Sequence, residues 1–120
     1  MEYKLLIDGQ WIGGGNELEV KNKYNGEIVG VLPTARREDL DAALAAAERA
    51  EDVMADMPSH KRAEILLRTA VLMRESADDL AKTIAAEAGK ALKFARAEVD
   101  RAASVFTIAA EEAKRIHGET

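Results

Sequence analysis

The stretch Ile28-Val29-Gly30-Val31-Leu32-Pro33-Thr34-Ala35-Arg36-Arg37-Glu38-Asp39-Leu40-Asp41-Ala42-Ala43-Leu44 holds the change of period that decides the fold. Up to Leu32 the chain reads as short apolar runs cut by turn residues. Pro33, which lacks an amide donor, ends the last of them. From about Arg37 the apolar residues recur at helical spacing. Leu40, Ala43, Leu44, Ala47, Ala50 and Met54 share one face, while Asp39, Asp41, Glu48, Arg49 and Asp52 lie elsewhere.

Working back from this boundary, Leu18 to Tyr24 and Glu27 to Leu32 flank Asn25-Gly26, a strong short-range hairpin signal. Further upstream, Leu5-Leu6-Ile7 and Gln10-Trp11-Ile12 flank Asp8-Gly9, a second favoured two-residue turn. Gly13-Gly14-Gly15-Asn16 joins the two expected hairpins. It precedes a strand rather than a helix, so it lacks the helix N-terminus of a phosphate-binding loop.

Working forward, the first helix is expected to end near Met57-Pro58, and Ser59 to cap a second one with Ala63, Leu66, Leu67, Ala70 and Val71 inside. Ser76 with Asp79 resembles a capping box that opens a third helix through Leu80, Ile84 and Ala88, closed by Gly89. The last helix is expected over Leu92 to His117. Its inner face carries Ala95, Val99, Ala102, Phe106, Ala109, Ala113 and Ile116, and Gly118 is its stop. The expected fold class is therefore α+β, two N-terminal β-hairpins over residues 1–33 followed by four α-helices over 36–117, read as a single segment.

The bulk properties narrow the function. The 120 residues are 48% apolar and 32% charged, the composition of one small globular domain. Lys and Arg number 17 against 22 Asp and Glu, a net charge of −5 with the signs interspersed, which argues against a nucleic-acid partner. No apolar run approaches the roughly 20 residues of a membrane span and none has signal-peptide form, so a cytoplasmic location is expected. With no cysteine in the sequence, a disulfide framework, a thiolate metal site and a cysteine nucleophile are excluded from this segment. Aromatics are only 4%, so the alanine-rich helices bury limited area among themselves and call for more partner surface.

Leu6-Ile7-Asp8-Gly9-Gln10-Trp11, Asn22-Lys23-Tyr24-Asn25-Gly26-Glu27 and Ile28-Val29-Gly30 occur in the order found at the start of aldehyde dehydrogenases. So do Glu38-Asp39-Leu40-Asp41-Ala42-Ala43, Pro58 with Arg62-Ala63-Glu64-Ile65-Leu66, and Glu87-Ala88-Gly89-Lys90 with Glu98-Val99. No single motif is specific, but together they cover nearly the whole chain, which on these grounds resembles the N-terminal part of that family's α/β cofactor-binding domain. The closing residues 109–120 are similar to the subgroup acting on small aldehydes, including lactaldehyde, semialdehyde and non-phosphorylating glyceraldehyde-phosphate dehydrogenases. Three positions depart from the family pattern. Lys23 and Ala91 stand where proline is usual, and Arg36 where a capping Ser or Thr is common. Each lost proline costs up to about 1 kcal/mol through unfolded-state freedom.

The resemblance implies an NAD- or NADP-dependent oxidation of a small aldehyde to its carboxylate by a homo-oligomer. A cysteine thiolate attacks, an asparagine amide and a backbone N–H hold the oxyanion, hydride passes to nicotinamide, and a glutamate activates water. In the family these groups, the cofactor site and the catalytic and oligomerisation domains lie beyond the matched region. The 120 residues are then expected to be catalytically inactive scaffold. The alternative is a non-catalytic helical module that self-associates or binds a partner.

One site carries over by resemblance. Several family members hold a structural monovalent cation at positions matching Glu98, Val20 and Lys21, the latter two through backbone carbonyls, and such oxygen-only ligation suits a hard cation. The competing reading pairs Glu98 with a nearby Lys or Arg on a solvated helix face. Among other residues, Glu87 and Lys90 suit a local ion pair. His60 and His117 suit helix-end positions. Met54, Met57 and Met73 are expected as core filler, and Trp11 as the contact of its hairpin with the helices.

Overall fold

The computed structural model describes residues 3–116, in the order β1 (Leu5–Ile7), β2 (Gln10–Ile12), β3 (Glu17–Lys21), β4 (Ile28–Pro33), α1 (Arg37–Ala55), α2 (Ser59–Glu75), α3 (Ala77–Ala88) and α4 (Leu92–Ala113). The two hairpins and four helices match the expected sequence of elements, and the two antiparallel sheets are two-stranded, β1-β2 and β3-β4. The chain divides into two compact units, Met1–Asp56 and Met57–Thr120. No helix among the described residues is long and apolar enough to cross a membrane.

In the first unit, Asp8 and Gly9 both take positive φ, 52° and 71°, as a type I′ turn demands, and Ile7 pairs with Gln10. Leu5, Ile7 and Ile12 are half-buried on one side of this hairpin. Leu6 and Trp11, cross-strand partners, are exposed on the other. Trp11, expected to pack its hairpin onto the helices, is thus largely exposed. The period-2 alternation of a strand puts it on the face opposite Leu5 and Ile12. Arg49 in α1 instead ties the hairpin turn to that helix by pairing with Asp8 at 2.9 Å.

The second hairpin corrects a sequence expectation. Asn25-Gly26 is not a two-residue turn: the connection runs from Asn22 to Glu27, and of the two only Gly26 has positive φ. Asn22 accepts the Tyr24 amide on its side-chain oxygen at 2.9 Å and the Gly26 amide on its carbonyl at 2.9 Å. Asn25 accepts the Glu27 amide at 3.1 Å. Two asparagine side chains thus fold a wider loop in place of the tight turn. The β3-β4 register also shifts between Val20, opposite Gly30, and Lys21, opposite Ile28, so Val29 is the extra residue of a bulge.

α1 begins after Arg36, whose backbone is extended. An arginine side chain has no acceptor, so the usual cap cannot form. Asp39 supplies the other half of the motif, accepting the Arg36 amide at 2.8 Å and its Nε at 3.3 Å. Leu44 and Met54 on the expected inner face are exposed, and Asp39 is the buried residue of this helix, so the core-filler role expected of Met54 is not met.

In the second unit α4 packs on α2 and α3. Among the described residues its interior consists of Ala63, Ala70, Ala81, Ala95, Val99, Ala103, Ala110 and Ala113, and no large side chain is fully buried. Ala81, Ala95 and Val99 form a cluster with Ala77 and Ile84 packed against it. Leu67, Val71 and Leu80, expected inside, are partly exposed because methyl-sized contacts bring the backbones close and leave the longer side chains at the margins.

The helix ends differ from expectation at three places. Ser59 is the first helical residue rather than the cap. Pro58, with φ −56° and ψ 141°, stands outside, and its carbonyl accepts the Lys61 and Arg62 amides. Ser76 forms no box with Asp79. At φ −102° and ψ 14° it is the single residue between α2 and α3, donating to the Leu72 carbonyl and accepting from the Leu80 amide. α4 stops at Ala113, where Lys114 and Arg115 donate to the Glu111 and Glu112 carbonyls in tighter turns. Gly89 closes α3 in the left-handed region, as expected. His117 and Gly118 lie outside the described residues.

Candidate functional site

Three places in the fold bear on function, and each is built from local rules. The first is the glycine run Gly13-Gly14-Gly15 between the hairpins. The Gly15 amide donates to the Thr34 carbonyl at 2.7 Å, and the Thr34 amide to the Asn16 carbonyl at 2.8 Å, extending the β3-β4 ladder. A Cβ on Gly14 would lie 2.7 Å from both the Pro33 Cβ and the Thr34 oxygen. The glycine is thus required for close backbone approach. A hollow of about 170 Å³ beside it is lined by Tyr3, Lys4, Glu17 and Val31 among others. No helix begins there, so the run lacks the dipole and free amides of an anion cradle.

The second place is Glu98, in the second turn of α4. Its carboxylate accepts from the Lys90 ammonium, and both side chains are half-exposed. The hydrogen bond from Lys90 and then its charge hold the Glu98 carboxyl below the usual glutamate range, against a smaller opposing effect of burial. Gly89 reverses the chain between α3 and α4, which carries Lys90 away from Glu87 and toward Glu98. The Glu87–Lys90 pair expected from sequence is replaced by this longer-range one.

Val20 and Lys21 sit in β3, at the register shift; Val20 is half-buried and the Lys21 side chain pairs with Glu19 at 3.2 Å. They belong to the first unit and Glu98 to the second. A cation taken up by Glu98 would compete with the Lys90 ammonium for the same carboxylate.

The third place is the entrance to α2. Arg62 donates from Nη2 to the Met57 carbonyl at 2.9 Å, while its Nε is buried without a hydrogen-bond partner among the described residues. His60, one residue into the helix, is exposed. Sequence reasoning missed two anchoring groups. Asp39 was foreshadowed by an acid three residues beyond a helix start. The Arg96–Asp78 pair at 3.0 Å joins α4 to α3 across a distance no local spacing reveals. In chemical terms these groups bind elements to one another.

Residues 11–120 match the model of the aldehyde dehydrogenase family. The chain is 36% identical over 118 residues to the 3-sulfolactaldehyde dehydrogenase of Priestia aryabhattai, covering 98% of this chain and 24% of that one. It is 38% identical to the NADP(+) succinate-semialdehyde dehydrogenase of Escherichia coli K12, covering 96% and 24%. The crystal structure of an NAD-dependent aldehyde dehydrogenase from Sinorhizobium meliloti superposes with a TM-score of 0.93 at 29% identity, over 99% of this chain and 25% of that one. The chain thus spans about a quarter of the length of the relatives it matches.

Proposed function

Because the chain belongs to the aldehyde dehydrogenase family, a family of NAD(P)-dependent enzymes, we propose that it is the N-terminal scaffold of a subunit that oxidises a small aldehyde to its carboxylate. The observation that carries this reading is the superposition of 99% of the chain on one quarter of a dehydrogenase of known structure. The likeness to enzymes named for 3-sulfolactaldehyde and for succinate semialdehyde favours a short aldehyde bearing a second polar or acidic group. NAD or NADP binds outside these residues. The intact protein, on this reading, is a cytoplasmic homo-oligomer.

The 120 residues contain no cysteine, the nucleophile that the family resemblance implies. Their contribution is structural: α2, α3 and α4 form one close-packed block, and the hairpins with α1 form a second. An assay of the purified 120-residue chain with NAD or NADP and either lactaldehyde or succinate semialdehyde should show no nicotinamide reduction above the protein-free rate. Sustained, protein-dependent reduction would overturn the scaffold reading.

One observation favours a second reading. Large apolar side chains are exposed along several helices, including Leu44, Ile65, Phe94 and Ile108, as in a module that self-associates. Sedimentation of the isolated chain separates the two, since a concentration-dependent dimer supports the module and a monomer supports the scaffold.

A further inference from the structure

The Asn22–Glu27 loop holds a chemically reactive pair of residues in solvent. Gly26 takes φ +74°, a conformation that a side chain would strain, so the loop calls for glycine there. The same glycine leaves its amide nitrogen unscreened beside the Asn25 side chain. Among the described residues nothing lies within 4 Å of a Cβ built on Gly26, and Asn25 and Gly26 are both exposed. The chain has three asparagines, and the other two, Asn16 and Asn22, are followed by Glu17 and Lys23, whose side chains hinder the same approach.

Asparagine is a thermolabile residue, and one followed by glycine can lose its side-chain amide without an enzyme. The Gly26 amide gives its proton to solvent base, and its nitrogen attacks the Asn25 Cγ. As the Cγ–Nδ2 bond breaks, ammonia leaves with a proton from water and a five-membered succinimide remains. Water then opens one of the two ring carbonyls, giving aspartate or isoaspartate. Water is the sole co-reactant, and nothing is oxidised or reduced.

In the closed loop the reacting groups are engaged elsewhere. The Gly26 amide donates to the Asn22 carbonyl at 2.9 Å. Asn25 Nδ2 donates to Glu27 Oε2 at 2.7 Å, and Asn25 Oδ1 accepts from the Glu27 amide at 3.1 Å. These bonds must open before the nitrogen can reach Cγ, and the loss of two of them corresponds to about tenfold or more in rate.

We propose that Asn25 is a site of spontaneous deamidation through attack by the Gly26 nitrogen, held back by the hydrogen bonds to Asn22 and Glu27 while the loop is closed. Reaction is self-reinforcing for the loop. The new carboxylate faces Glu27 where an amide donor stood 2.7 Å away, and like charges so placed repel. Isoaspartate also adds a methylene to the backbone between β3 and β4.

The test keeps the purified 120-residue chain in mildly alkaline buffer, folded or unfolded in guanidinium chloride, and follows conversion at each asparagine by peptide mass spectrometry. In the unfolded chain Asn25 should convert ahead of Asn16 and Asn22, and folding should slow it about tenfold or more. Asn22→Ala removes the acceptor of the Tyr24 amide, and Glu27→Ala the acceptor of Asn25 Nδ2. Each should speed the folded reaction several-fold and leave the unfolded rate unchanged, with circular dichroism checking that the variants stay folded. No preferential conversion at Asn25 in the unfolded chain overturns the site. Equal rates in folded and unfolded chains, or folded variants that react no faster than the unsubstituted chain, overturn the restraint by the loop.

Discussion

Residues Met57–Thr120 enclose Ala63, Ala70, Ala81, Ala95, Ala103, Ala110 and Val99 where three helices meet, whereas in Met1–Asp56 Gly30 and Asp39 are buried and backbone hydrogen bonds do most of the joining. The first arrangement depends on shape. A methyl group contributes little apolar area, but it lets backbones approach, and close packing tolerates no added volume. The second depends on donors and acceptors, each worth about 0.5–1.5 kcal/mol net, and on glycines that let strands and loops touch. Two regions of one short chain thus have different points of failure.

The sharpest way to break the contrast is to add volume to the helical unit. Ala81→Leu or Ala103→Leu, at positions with no exposed surface, should destabilise it by about 1–3 kcal/mol, read as a lower midpoint in thermal denaturation. The same change at exposed Ala50 should be near neutral.

The next effect separates adjacent glycines in the other unit. Gly14→Ala forces a Cβ to 2.7 Å from Pro33 and from the Thr34 carbonyl. It should cost about 1–3 kcal/mol. Nothing lies within 4 Å of a Cβ on Gly13, so Gly13→Ala should leave stability unchanged or raise it by about 0.4–1 kcal/mol. Chemical denaturation of the pair measures the difference, and equal losses would refute the close-approach account.

The smallest effect concerns acid. The amide hydrogen bond from Arg36, opposed in part by burial and reinforced by the Arg36 guanidinium, holds the Asp39 carboxyl below the usual aspartate range. A lowered folded-state value means a contribution that is fully present above the ordinary range and fades as pH falls through the lowered one. Stability of the first turn of α1 should therefore drop on acidification, and Asp39→Asn should flatten that dependence. An NMR titration of the Asp39 carboxyl carbon checks the direction.

How much was legible follows the same division. Element order and the Asp8-Gly9 turn could be read because period and turn chemistry are local properties of the chain. The Asn22–Glu27 loop could not, since two asparagine side chains outcompeted the tight turn that Asn25-Gly26 alone suggests. Leu44, Met54 and Trp11 were placed inside by hydrophobicity, yet which apolar face is covered depends on tertiary partners. The family resemblance points to Glu98, Val20 and Lys21 as cation ligands, but the engagement of Glu98 by Lys90 depends on the reversal at Gly89. The family was readable from motif order, which survives individual departures such as Lys23 and Ala91.

The one-residue joint at Ser76 has a consequence for how this chain can change length. Each residue advances a helix by about 100°, so a single insertion there would turn α3 and carry Ala81 away from α4. The wider Asn22–Glu27 loop ends in solvent and can absorb an extra residue without altering the phase of any element. Length variation between related chains should therefore gather at the loop and be absent from the joint.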